Sequence, residues 1–288
     1  MRHRLPSDAP AASRQPRGFT LVEAVIVIAI TGILAAIVTR FIVQPVQLYL
    51  ATQARAQLVD VADNALRRIA RELRLALPNS PRVSSSGLSL ELIPVTSVAR
   101  YKTEGTAPLQ FGTVDTSFDI VGPALTVGSA QQLVFYNLGP GITGSDAYAA
   151  NSSATEQSNS NRRTATNAAG SATTITMSSL AGLPIGDFSA PYRVFAVDPP
   201  VTYRCDIAAG TLTRYSGYGF QATQPDPPSS GTSSVLATGV TACSFTYDAA
   251  VFAMRAGLVS LQLSLATSTP SGTESITLHH EVHVDNLP

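Results

Sequence analysis

The chain has 288 residues, room for one or two domains, and its 19 Lys and Arg balance 19 Asp and Glu to a formal net charge of zero. Only 13% of residues are charged, Lys102 is the one lysine and Trp is absent. That balance provides no broad basic face and argues against a nucleic-acid partner. Frequent Pro, Gly, Ser and Thr suit a loop-rich extracytoplasmic domain with an appreciable core.

The first 18 residues carry Arg2, Arg4, Arg14 and Arg17 against Asp8 alone. The positive-inside rule keeps such a segment cytoplasmic, so everything beyond the apolar run projects outward. Next comes Arg17-Gly18-Phe19-Thr20-Leu21-Val22-Glu23, and from Ala24 to Val38 no residue is charged. Secretory signals place small residues behind the apolar region. Here the Gly-Phe junction lies in front of it, so cleavage there leaves the apolar segment on the mature protein. Glu23 is the one charge between Phe19 and Thr39. A carboxylate inside a spanning segment is costly unless paired, which makes it a functional candidate. The plain alternative is a signal anchor with an incidental glutamate.

The GFTLVE junction and the apolar run behind it resemble the processing site of type IV prepilins and type II secretion pseudopilins. The resemblance implies that a prepilin peptidase of the inner membrane cleaves after Gly18 and methylates the new N-terminal residue, Phe19. It also implies that Glu23 is the acidic residue needed for assembly with other major and minor pilins. Glu23 stands at i+4 from Phe19, so its carboxylate shares a helix face with the new α-amino group.

Phe19 to Thr39 forms a predicted helix rising about 31 Å, enough to span a membrane. Gly32 within it permits close helix packing. Pro45 is expected to kink or loosen the helix near Phe41–Gln44. Beyond it, Leu58, Val61, Ala65, Ile69, Leu73 and Ala76 recur at steps of three or four, an amphipathic stripe expected to dock on a sheet. Asp60 and Asp63 come early and Arg67, Arg68, Arg71 and Arg74 late, which suits the helix dipole, and Asp63 can meet Arg67 at i, i+4. Leu77-Pro78-Asn79-Ser80-Pro81 ends this helix.

After Pro81 the period changes from 3.6 to 2. Strands are predicted at Leu88–Leu92, Leu133–Tyr136, Thr173–Met177, Tyr192–Val197 and Thr202–Cys205. Leu212–Tyr215 pairs back after a turn at Gly210, and Cys243–Tyr247 follows. Val259, Leu261, Leu263 and Leu265 alternate with polar residues, and Ser268–Gly272 turns the chain into Ser275–Val284. Gly144–Ala172, rich in Ala, Ser, Asn and Thr, reads as a long surface loop or a partly disordered insertion. Pro225–Ser234 reads as a second flexible loop. The expected class is α+β, one long N-terminal helix, membrane-spanning and then amphipathic, packed on a large antiparallel β-rich head. The organisation is a cytoplasmic leader (1–18), a membrane and assembly helix (19–43), an amphipathic helix (44–77) and a periplasmic head (78–288).

Cys205 and Cys243 both fall beyond the membrane segment, where an oxidising compartment most simply joins them as a disulfide. A metal pair or a reactive thiol are the alternatives. His279, Glu281 and His283 share one face of a predicted strand, with His280, Val282 and Val284 on the other. Their HExH spacing departs from the HExxH of helical zinc sites, so a solvated or partner-facing strand is expected and no metal. Tyr215, Tyr218 and Phe220 read as hairpin packing. No phosphate loop or GxSxG nucleophile motif is present, so neither a cofactor nor an enzymatic activity is expected.

A head of this size behind such an anchor is similar to the larger minor pilins, including J-type pseudopilins. Val201–Cys205, Leu212–Tyr215, Cys243–Phe245, Gly257–Val259 and His283–Pro288 resemble segments of the MshO-type minor pilins of mannose-sensitive haemagglutinin pili. These resemblances imply a subunit that initiates or caps a filament, with a tip adhesin as the alternative.

Overall fold

The computed structural model describes residues 18–185, 192–248 and 256–288. Apart from Gly18, the predicted leader lies outside the described residues. Residue contacts divide the chain into two units at Thr52/Gln53.

In the first unit, helix α1 (Leu21–Val38) starts from Thr20, whose extended backbone and side-chain oxygen cap the Glu23 N–H at 3.2 Å. Its 18 residues span about 27 Å, close to the thickness of a hydrocarbon core, and none is buried. The helical segment Leu21–Arg74 contains an 18-residue window of mean hydropathy 2.8. Apolar on every side and with no residue buried, α1 fits a membrane rather than a globular core. Thr39–Val43 form one π-helical turn, beginning slightly ahead of the predicted Phe41–Gln44 loosening. The cause is Pro45, which has no N–H to give to the carbonyl of Phe41. The α-geometry resumes at once in α2 (Gln44–Arg74), with Pro45 in its first turn, where the missing donor is tolerated.

The second unit begins within α2. Leu58, Ala62, Ala65, Leu66, Ile69, Ala70 and Leu73 are buried, a stripe about one residue wider than predicted. Val61 is 40% exposed and Ala62 takes its place. The helix ends at Arg74 rather than Leu77, and Leu77 instead pairs its N–H with the carbonyl of Ile93.

The strands run β1 (Arg82–Val83), β2 (Ser89–Leu92), β3 (Val95–Tyr101), β4 (Ser117–Val121), β5 (Leu125–Val127), β6 (Gln132–Phe135), β7 (Arg162–Ala165) and β8 (Gly170–Ala172). They continue with β9 (Thr174–Ser178), β10 (Arg193–Val197), β11 (Val201–Asp206), β12 (Thr211–Ser216), β13 (Thr232–Thr238), β14 (Val240–Asp248), β15 (Ala256–Thr269) and β16 (Gly272–Asp285). A five-stranded sheet, β1-β2-β11-β12-β13, and a three-stranded sheet, β14-β15-β16, bury their inner faces with α2 in one core. Leu90, Tyr203, Leu212, Phe245, Leu261 and Val282 are among its members. Arg214 on β12 also holds Glu72 of α2 by an ion pair at 3.2 Å. The Cys205–Cys243 disulfide links β11 to β14 and so joins the two sheets beneath the helix. Its sequence separation of 38 makes the loop closure worth about 3–4 kcal/mol.

The α+β class is therefore as predicted, but the head contains a second β-structure of which only β6, β9 and β10 were predicted as strands, and whose closure was not. Strands β10-β3-β4-β9-β7-β6 close into a barrel. Closure leaves no open edge, and the interior fills with Tyr101, Phe118, Leu133, Phe135, Ile175 and Val194. Phe118 and Phe135 meet edge-to-face at 5.7 Å. A third cluster, with Leu77, Ile93, Val134, Tyr148 and Phe195, packs outside the barrel.

The readings of the two long loops need correction. Gly144–Ala172 contains α3 (Ala154–Gln157), β7 and β8, and buries Asn161, Arg162 and Arg163. It is ordered by hydrogen bonds together with the burial of Ala147, Tyr148 and Ala165. Ser153 and Glu156 form a reciprocal capping box. The Arg163 guanidinium donates to the carbonyls of Gln157, Ser160, Arg162, Ala181 and Gly182 at 2.7–3.0 Å. Pro225–Ser234 runs into β13, and its Asp226 accepts from Ser89 at 2.5 Å and from Arg204 at 3.0 Å. Burial pushes the Asp226 carboxyl up, but these bonds outweigh it and hold the group below its usual range.

Candidate functional site

The candidate site is the front edge of α1. A Cβ built on Gly18 meets nothing within 4 Å, and its φ lies outside the left-handed region. Among the described residues, neither packing nor backbone conformation demands glycine at this position. Phe19 is 72% exposed. Thr20 fixes the first turn, and Glu23 lies in that turn with its side chain exposed. Among the described residues the Glu23 carboxylate has no hydrogen bond or ion pair; its backbone N–H alone is engaged. A carboxylate near the end of an apolar helix is costly in a membrane unless it is paired. The candidate site is thus an exposed surface rather than a cleft.

The other residues singled out in the sequence do not converge on a site. Cys205 and Cys243 are consumed by the disulfide. His279, Glu281 and His283 are exposed along β16 while Val282 and Val284 are buried, the alternation the pattern predicted. His279, His280 and Glu281 line a shallow concavity of about 170 Å³ with Ser244, Thr246 and Gln262. No group of three or more His, Cys, Asp or Glu among the described residues is arranged to hold a metal. Tyr215, Tyr218 and Phe220 separate: Tyr218 is buried against Glu91 and Thr202, whereas Phe220 lies under the Arg162 guanidinium. The basic run on α2 is exposed, with Arg67 paired to Asp63 at 2.6 Å and Arg68 to Glu72 at 3.6 Å.

Sequence reasoning missed two buried polar groupings. The first is Arg82–Glu91–Tyr218–Thr202, whose members are scattered along the chain and carry no local signal. The second is the Arg162-Arg163 pair, hidden in a stretch whose composition reads as loop.

One apolar N-terminal helix long enough to cross a membrane, followed by a disulfide-linked α+β head, fits a membrane-anchored protein with a large β-rich head. The comparison with protein families specifies that class further. Residues 13–39 match the model of the prokaryotic N-terminal methylation motif, the leader of type IV pilins. The match supports a pilin or pseudopilin-like chain, processed by a prepilin peptidase, whose helix fits a single-pass inner-membrane anchor. Compared with curated proteins and with solved structures, the chain has no significant match.

Proposed function

We propose that this chain is a minor pilin-like structural subunit that initiates or caps assembly of a type IV filament. A prepilin peptidase cleaves between Gly18 and Phe19 and methylates the amine of Phe19. The segment up to Gly18 is the cytoplasmic leader, 19–43 the membrane and assembly helix, 44–77 the amphipathic helix and 78–288 the periplasmic head. The observation that carries this reading is the junction itself: a glycine that packing does not require, ahead of an unburied apolar helix bearing one unpartnered carboxylate. In the assembled filament Glu23 neutralises the α-amine of Phe19, its own or that of a neighbouring subunit.

The minor role rests on size. A helical array must repeat its packing at every subunit, and a head holding two sheets and a barrel is most easily placed at a tip. The kind of filament rests on less, namely the short C-terminal resemblances to MshO-type subunits of haemagglutinin pili. Deleting the gene is expected to reduce assembled pili severely while the level of major pilin stays near normal, measured by shearing and immunoblotting. Intact piliation with lost protein secretion would instead assign the chain to a J-type pseudopilin role; no effect on either would refute the proposal.

A further inference from the structure

A concavity of about 740 Å³ lies on the outer face of the barrel. That is within the range of small-ligand sites. Gln132 of β6 pairs with Thr164 of β7, and Val134 with Arg162, so Gln132, Arg162 and Thr164 lie on one face. Gln132 Nε2 donates to Thr164 Oγ1 at 3.0 Å. Asn151, Asp198 and Phe220 complete the functional part of the lining.

Arg162 is the group that calls for a ligand. It is 6% exposed, yet among the described residues its guanidinium makes one hydrogen bond, Nη2 to the carbonyl of Ala149 at 2.9 Å, and no ion pair. Its Nε is buried without a partner. Asp146, which acts on it electrostatically, makes no hydrogen bond or ion pair with it among the described residues, and its oxygens accept the N–H groups of Gly141 and Tyr148 at 2.8 Å. A buried cation left this way is unfavourable, and an anionic partner relieves it. The guanidinium is also held in place, its carbon 3.8 Å from the centre of the Phe220 ring. Asn151 Oδ1 in the same wall is likewise buried without a donor.

The remaining lining selects among anions. One arginine faces one carboxylate, Asp198, so a dianion such as a phosphate ester is poorly matched. A planar carboxylate suits the guanidinium fork. Amides, a hydroxyl and the Asp198 carboxylate around it suit a ligand rich in hydroxyl groups. We propose that this concavity binds a carboxylated sugar of the uronic-acid class, its carboxylate on Arg162 and its hydroxyls toward Asp198, Asn151 and Gln132. The inference is independent of the filament role, since it rests on the barrel alone.

The test is titration of the full chain in detergent micelles with a galacturonate trimer, a neutral galactose trimer and glutarate, followed by calorimetry or saturation-transfer NMR. Saturable binding of the uronate is expected, with the neutral sugar and glutarate each at least about tenfold weaker. Arg162→Gln is expected to reduce uronate affinity by a similar factor. Gln132→Glu is the second variant: it leaves Arg162 in place, adds a repelling carboxylate to the wall and should weaken the uronate alone. Absence of uronate binding by the wild type, equal binding of either control ligand, or unchanged affinity in a folded variant would overturn the proposal.

Discussion

Glu91→Ala is expected to destabilise the head by about 3–5 kcal/mol, the usual cost of orphaning one member of a buried ion pair. Glu91 lies on β2 opposite Arg82 of β1 and Thr202 of β11, with its side chain fully buried. It accepts from Arg82 Nε at 2.5 Å and from the Tyr218 hydroxyl at 2.8 Å. Arg82 is 10% exposed at its side chain and reaches further, donating to the carbonyls of Ala222 and Gln221 and covering the Tyr148 ring at 3.7 Å. The network thus ties the five-stranded sheet to the β12–β13 connection and to Tyr148, whose hydroxyl donates to the Ser80 carbonyl and is pushed well above its ordinary range by burial. Replacing the pair together, Arg82→Met with Glu91→Leu, is expected to cost much less than the single change, because no charge is left buried. Urea unfolding followed by tyrosine fluorescence checks both, Trp being absent. A single variant within about 1 kcal/mol of wild type would show that the pair is not the strap described.

Glu23→Gln is expected to leave leader cleavage and membrane insertion intact and to block entry into filaments. Removing the carboxylate makes insertion easier, since an ionised Asp, Lys or Arg at a helix centre costs about 2.5–3.5 kcal/mol. What it removes at assembly is the pairing with a subunit amine, worth about 4 kcal/mol at close range in an intermediate dielectric. Even half of that lowers incorporation by more than about tenfold. Immunoblots of sheared filaments against the membrane fraction read the two effects apart. Wild-type incorporation of the variant would remove Glu23 from the assembly contact.

The legible parts of the fold were those where one face is wet and the other dry. Val259, Leu261, Leu263 and Leu265 alternate because β15 lies between core and solvent, and the 14-residue β16 follows the same rule up to Val284. The α2 stripe was legible for the same reason, and its one-residue shift at Val61 shows how coarse a 3.6-residue period is. The barrel was legible only in part: β6, β9 and β10 were predicted, whereas β3, β4 and β7 were not. In β3, Val98 is 51% exposed while Ala99 and Tyr101 are buried, so hydrophobicity and burial run out of step. In β7 the buried residues include Arg162 and Arg163. Their order comes from carbonyls contributed by distant segments, and composition carries no trace of such partners. The candidate site was the opposite case. Gly18, Phe19 and Glu23 are exposed and lie within six residues of one another, so the sequence displayed the whole of the proposed site.

The central claim is that Gly18-Phe19 is a processing junction and that the helix behind it is a filament-assembly element. Intact-mass and N-terminal sequencing of the protein recovered from membranes tests it most directly. A chain beginning with N-methylphenylalanine at Phe19 is the predicted result. A chain that keeps its leader, or one cut behind the apolar helix instead, would contradict it.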